Sequence, residues 1–180
     1  MLAVTQDSTV ADSYARLRGS TGEEYRGRSP EDARTCECDL RYPHKGDTRD
    51  GPIFKAEVME DKWDIYLYDS HLYFARSWTG KLEYRAMIDF HDDVAHVVGV
   101  EARKEVVEND PSYPIAAVDY LIRSHLYRLP AAHPLPKSIG RDPRQLALFS
   151  FSQYGRHGLF GVLGDTTRLQ VPGAGADGWT

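Results

Sequence analysis

From residue 53 to residue 103 apolar side chains return at every second position: Ile65 and Leu67, then Leu72 and Phe74, then Leu82, Tyr84, Ala86, Ile88 and Phe90, then Val94, Val98 and Val100. Period two is the spacing of a strand, whose successive side chains point to opposite faces; wound on a helix, the same set would scatter around the axis. Four consecutive strands follow from it.

Their pairing is constrained by parity. A slip of one residue moves a whole apolar set to the wrong face, so the loop lengths must bring apolar onto apolar. A two-residue turn at Asp69-Ser70 opposes Leu67 to Leu72 and Ile65 to Phe74. A three-residue loop Trp78-Thr79-Gly80 opposes Phe74 to Tyr84 and Leu72 to Ala86, with Gly80 in the left-handed position such loops need. The same length at His91-Asp92-Asp93 opposes Phe90 to Val94, Ile88 to His96 and Ala86 to Val98. All three turns then agree on one apolar face.

The flanks read differently. Val10, Tyr14 and Leu17 have helical spacing and Gly19 terminates them, which predicts a short helix over 9–18. Residues 19–51 are rich in charge, Gly and turn formers. Within them Ser29-Pro30-Glu31-Asp32 has the form of a helix start. After the strands, Asp110-Pro111 and Pro114 open a helix, and Ile115, Val118, Leu121, Ile122, Leu126 and Leu129 form its apolar stripe up to Pro130. Residues 131–141 read as loop. Residues 145–154 fit a helix between Asp142-Pro143 and Gly155, with a buried strand as the alternative. The tail, rich in Gly and Pro, offers little to pack.

The fold expectation is therefore α+β: an antiparallel meander of at least four strands at about 55–103, packed by a helix at about 113–128. The single domain spans 51–165, after a short helix and a loosely ordered segment within 1–50 and before a flexible tail at 166–180. At 180 residues the chain is long enough to bury roughly 70% of its unfolded surface without metal or disulfide support. No apolar run reaches the ~18 residues of a membrane helix. The first seven residues carry neither a basic start nor an apolar stretch, so the expected location is the cytoplasm.

Against this scaffold a few residues stand out. By parity Arg76 and His96 fall on the apolar face with Tyr84, where charge is costly unless paired. The functional reading is an uncovered edge of the sheet, a pocket in which Arg76 holds an anion and His96 exchanges protons. The plain reading is an arginine that reaches solvent from a strand end and a satisfied histidine.

The opposite face carries Tyr66, Tyr68 and Tyr73 with Arg85, the residue types that protein recognition surfaces favour because rings offer area at low entropy cost. The plain reading there is that the N-terminal helix covers the rings. A formal charge of −5, from 22 basic and 27 acidic residues, argues against general affinity for nucleic acid.

Cys36, Cys38 and His44 offer three zinc-ligand types without the usual Cys-x-x-Cys spacing or a fourth ligand. His91, Asp92, Asp93 and His96 gather at one hairpin end, yet acids in turns are ordinarily solvated. Gly155, Gly158, Gly161 and Gly164 recur around Arg156-His157, but the apolar residues between them favour close packing over phosphate binding. No metal site is assigned, no cofactor motif is present, and no catalytic motif stands out.

The function expected from the residues is a binding or regulatory protein that meets a protein partner, in the manner of an acidic neutralising partner, through Tyr66, Tyr68, Tyr73 and Arg85. The alternative is a small-ligand binder or enzyme with a pocket around Arg76, Tyr84 and His96.

Overall fold

The computed structural model describes residues 7–140 and 142–158. Helix α1 (Ser8–Arg18) is followed by a 3-10 turn (Glu23–Tyr25) and six strands: β1 (Ala33–Pro43), β2 (Gly51–Phe54), β3 (Trp63–Tyr68), β4 (His71–Arg76), β5 (Leu82–His91) and β6 (Val94–Arg103). Then come α2 (Lys104–Asn109), α3 (Ser112–Leu121) with a π-helical continuation (Ile122–Leu126), and α4 (Pro143–Tyr154) ending in a 3-10 turn (Gly155–His157). The fold is α+β, and its sheet is antiparallel with order β1-β6-β5-β4-β3-β2. Strands β2 to β6 form a meander, and β1 closes the far edge against β6.

The first two hairpins have the expected register, with Leu67 facing Leu72, Ile65 facing Phe74, Phe74 facing Tyr84 and Leu72 facing Ala86. Gly80 takes φ +69° and its N–H donates to the Arg76 carbonyl at 2.8 Å. The third hairpin corrects the expectation. Asp92 and Asp93 both adopt left-handed backbone (φ 50° and 61°) in a two-residue turn, which suits the twist of the strands and a residue type that tolerates this region. His91 therefore faces Val94, Phe90 faces Ala95 and Ile88 faces Val97. A bulge then absorbs Val98, so that Met87 faces Gly99 and Ala86 faces Val100. Parity is reversed before the bulge and restored after it. His96 consequently lies on the outer face, opposite Asp89 and Arg41.

Two further expectations are corrected in the N-terminal segment. Asp32 makes a left-handed turn (φ 46°) where a helix start is expected, and the chain enters β1. Part of the segment expected to be loose is thus an integral edge strand, with alternating Cys36, Cys38, Leu40 and Tyr42 as its signature. The tail at 166–180, Gly161 and Gly164 lie outside the described residues.

The inner face of the sheet wraps the α3 segment. Tyr42, Ile65, Leu72, Phe74, Ala86, Ile88, Val97 and Val100 share one buried cluster with Val118, Leu121 and Ile122. Each large aliphatic side chain removed from water there contributes about 1.5–3 kcal/mol. Helix α4 forms as expected, with the Asp142 carboxylate accepting from Arg144 N at 3.0 Å and Pro143 in the first turn. Its far end is fastened to the sheet: the Trp63 indole donates to the Gln153 carbonyl at 2.6 Å. Gly155 then passes so close to the Glu60 carbonyl that no Cβ would fit, which gives that glycine a packing role.

A second, smaller cluster covers the outer face of β3 and β4 and consists of Tyr25, Tyr66, Tyr68, Tyr73 and Ala75. Helix α1 is anchored beside it by a buried carboxylate. Asp64 accepts from both Arg18 terminal nitrogens at 2.8 and 3.1 Å, from Lys55 at 3.3 Å and from Ala56 N at 2.8 Å. No described helix is long and apolar enough to cross a membrane.

Candidate functional site

The residues singled out from sequence separate into three places. Tyr66, Tyr68 and Tyr73 do lie on the outer face, but the face is closed by the chain itself. The Tyr68 hydroxyl donates to the Thr21 carbonyl at 2.9 Å, Gly27 N donates to the Tyr73 hydroxyl at 2.9 Å, and the Tyr25 ring packs on Tyr66 at 5.4 Å between centroids. All three tyrosines are buried. Arg85, beside them, pairs with Glu101 at 2.5 Å. An open tyrosine surface is thereby corrected to a packed layer. Residues 20–28, rather than the expected residues 9–18, supply most of the cover, because a turn-rich segment can follow the sheet closely where a straight helix cannot.

His96 is removed from the expected pocket by the two-residue turn at Asp92-Asp93, and its Nε2 meets Asp39 Oδ1 at 2.7 Å on the outer face. Arg76 and Tyr84 do come together on the inner side, with different roles. Arg76 donates to the Ser152 carbonyl at 2.5 Å and the Gln153 carbonyl at 3.0 Å, and its guanidinium lies 4.7 Å from the Trp63 ring centroid. These are carbonyls at the C-terminal end of α4, where a cation is favoured by the helix dipole and by the unsatisfied acceptors. Burial lowers the Arg76 pKa, opposed by nearby Glu83. Arg76 is the clasp for α4.

Tyr84 stacks on Trp63 at 5.7 Å and forms part of a pocket of about 320 Å³. The pocket opens where the start of β5, the end of β6, α2, the start of α3 and α4 meet. Tyr84, Tyr113, Phe149 and Trp63 are its aromatic wall, and Asn109, Ser138 and Gln153 bring polar groups to it. Burial raises the pKa of the Tyr84 and Tyr113 hydroxyls, so both stay protonated at neutral pH. The Tyr113 hydroxyl lies 3.4 Å from that of Tyr154.

Four charged residues border the pocket and cancel in pairs. Arg103 approaches Glu83 at 3.6 Å, and Lys137 donates to Asp110 at 3.0 Å. Hydrogen bonds from Ser112, reinforced by Lys137, hold the Asp110 carboxyl below the usual carboxylate range. The Arg103 atom that faces Glu83 is its Nε, which is buried and too far from the carboxylate for a hydrogen bond. Both carboxylates already face a cation. Among the described residues no three His, Cys, Asp or Glu side chains gather as metal ligands. Cys36 and Cys38 remain free thiols on β1, both raised in pKa by burial.

No family model matches this chain, and no curated protein or solved structure does. The site must be read from its own chemistry. Tyr84 was legible from the strand pattern. Tyr113, Phe149 and Arg103 were not, because they lie on three elements whose convergence no local spacing encodes.

Proposed function

We propose that this protein binds a small, uncharged aromatic molecule in the pocket formed by Tyr84, Tyr113 and Phe149. The observation that supports this reading is the combination of four aromatic side chains on one pocket with a rim whose two acids and two bases are mutually paired. Ligand sites are typically concave and apolar with a few polar groups that set orientation. An ionised ligand would have to compete with an ion pair already in place, whereas a neutral ring gains burial and stacking at no such cost. The volume of about 320 Å³ suits a molecule of one or two rings. Asn109, Ser138 and Gln153 are placed to orient its hydrogen-bonding groups. The reading is one of binding, with no reaction attached.

Calorimetric titration with indole, phenol and nicotinamide, set beside benzoate and benzylamine, tests it. Saturable binding of at least one neutral ring, weakened tenfold or more by Phe149→Ala, is the expected result. Failure of all three neutral rings, or equal affinity in the Phe149→Ala protein, removes the proposal.

A further inference from the structure

A larger cavity than the aromatic pocket lies elsewhere. A cleft of about 630 Å³ opens at the other end of the α3 segment, between the residues that follow β2, the chain that leaves the π-helical turn, and the turn after α4. Three cations border it, Lys55, Arg128 and Arg156, against one carboxylate, Glu57.

Two of the cations are held in place by buried acids. Arg156 donates to Asp61 at 2.5 and 3.0 Å, and Asp61 is fully buried. Lys55 donates to Asp64 at 3.3 Å, to the Tyr66 hydroxyl at 2.8 Å and to the Leu17 carbonyl at 2.8 Å, which uses all three of its N–H groups. The third is different. Arg128 makes no hydrogen bond or ion pair among the described residues, and it stands in left-handed backbone with φ +54°. Every other described non-glycine residue with positive φ is an aspartate or serine in a turn. At this position Leu129 N reaches back to the Arg123 carbonyl at 2.9 Å and Tyr127 N to the Ile122 carbonyl at 3.2 Å, the kind of helix end that glycine or asparagine normally completes. Backbone strain and π-helical turns both concentrate at functional sites. An arginine here serves the backbone badly and the cleft well.

The wall beside these cations is flat and neutral. Ser124 Oγ gives its proton to the Tyr120 carbonyl at 2.6 Å and so accepts from His125 Nδ1 at 2.8 Å, and burial keeps that imidazole uncharged at neutral pH. His157 stacks on it at 4.1 Å, and Phe54 meets His125 edge-on at 4.8 Å. Asp61 and Asp64 offset Arg156 and Lys55, so the cation of the cleft without a partner among the described residues is Arg128.

We infer that this cleft is an anion site for a small phosphate monoester, with Arg128 as the free hand that closes on the phosphate and Arg156, held by Asp61, as a fixed support. Guanidinium groups match phosphate geometry, and that of Arg128 has its donors unspent. The organic part of the ligand would lie along Phe54, Leu129 and Pro130. This site is separate from the aromatic pocket, and either can fail without the other.

The test is calorimetric titration of the full chain with inorganic phosphate and glycerol phosphate, neither of which carries a ring for the aromatic pocket, with acetate as the control. Wild-type protein should bind glycerol phosphate saturably and acetate at least tenfold more weakly. Arg128→Gly should weaken glycerol phosphate at least tenfold while the melting temperature stays level or rises, since glycine relieves the left-handed strain. A purely structural Arg128 predicts the same melting behaviour with unchanged affinity. Absence of phosphate binding in wild type, equal affinity in Arg128→Gly, or acetate binding as tightly as glycerol phosphate would each overturn the inference.

Discussion

Gly22 lies against the Tyr66 ring so closely that a Cβ at position 22 would stand 2.1 Å from Tyr66 Cδ1. The same glycine has φ +85°, so both the approach and the backbone demand it. This contact is what turns the tyrosine side of the sheet from a surface into a layer. Gly22→Ala should therefore destabilise the protein by about 3 kcal/mol, the sum of overpacking and left-handed strain. Urea denaturation checks it; a loss below about 0.5 kcal/mol would mean that the cover over Tyr66 is loose.

Arg76 and His96, grouped by sequence, should behave as strangers. Arg76→Met leaves the last carbonyls of α4 without their donor and should cost about 2 kcal/mol. His96→Leu loses only a pairing with Asp39, whose side chain is 66% exposed, and should change stability by less than about 1 kcal/mol. The two lie on opposite faces, so the double variant should be additive within about 0.5 kcal/mol. A larger coupling energy would contradict the register of β6.

The stability of the fold should fall as the solution is made mildly acidic. Burial, aided by the neighbouring His157, pushes the His125 pKa down to about 3. An unfolded histidine titrates near 6.5. Below that value the unfolded chain takes up a proton that the folded chain refuses, so His125's contribution is complete above about pH 6.5 and drains away as pH falls towards 3. The slope is about 1.4 kcal/mol per pH unit. Comparing wild type with His125→Gln by denaturation between pH 6.5 and 5 should show a shallower slope in the variant; identical slopes would place the proton uptake elsewhere.

The Asp92-Asp93 turn offers a gain. Both residues occupy left-handed backbone, and glycine is the favoured second residue of such a turn. Asp93→Gly should raise stability by about 0.5–1 kcal/mol with the hairpin register intact. A loss of stability would show that the Asp93 side chain carries an interaction that outweighs the strain.

How much was legible can be followed strand by strand. Leu67 and Leu72, Phe74 and Tyr84 were paired correctly because the turns at Ser70 and Gly80 leave the alternation undisturbed. His96 faces outward, against the expectation, because the turn before it has two residues rather than three, and the bulge at Val98 returns Val100 to the inner face and so hides the change. A bulge inside a run of valine-rich sequence looks locally like ordinary strand. Strand β1 had a readable alternation in Cys36, Cys38, Leu40 and Tyr42, masked by the charged residues between them, as befits an edge strand with one polar side. In the candidate site, Tyr84 was visible and Arg103, Tyr113 and Phe149 were not.

What the sequence by itself determined is the local grammar: which segments alternate, where they turn, and that one continuous apolar face must be buried by a helix following the strands. These follow from forces between neighbours a few residues apart, and they need no knowledge of the whole. Only the tertiary structure decided which surfaces remained open. The tyrosine face closed because residues 20–28 fold back over it, Arg76 became a clasp because α4 ends where its guanidinium can reach, and both cavities arose where elements distant in the chain stop short of one another. Burial and convergence depend on how the whole chain fills space, and residue spacing alone carries no measure of that.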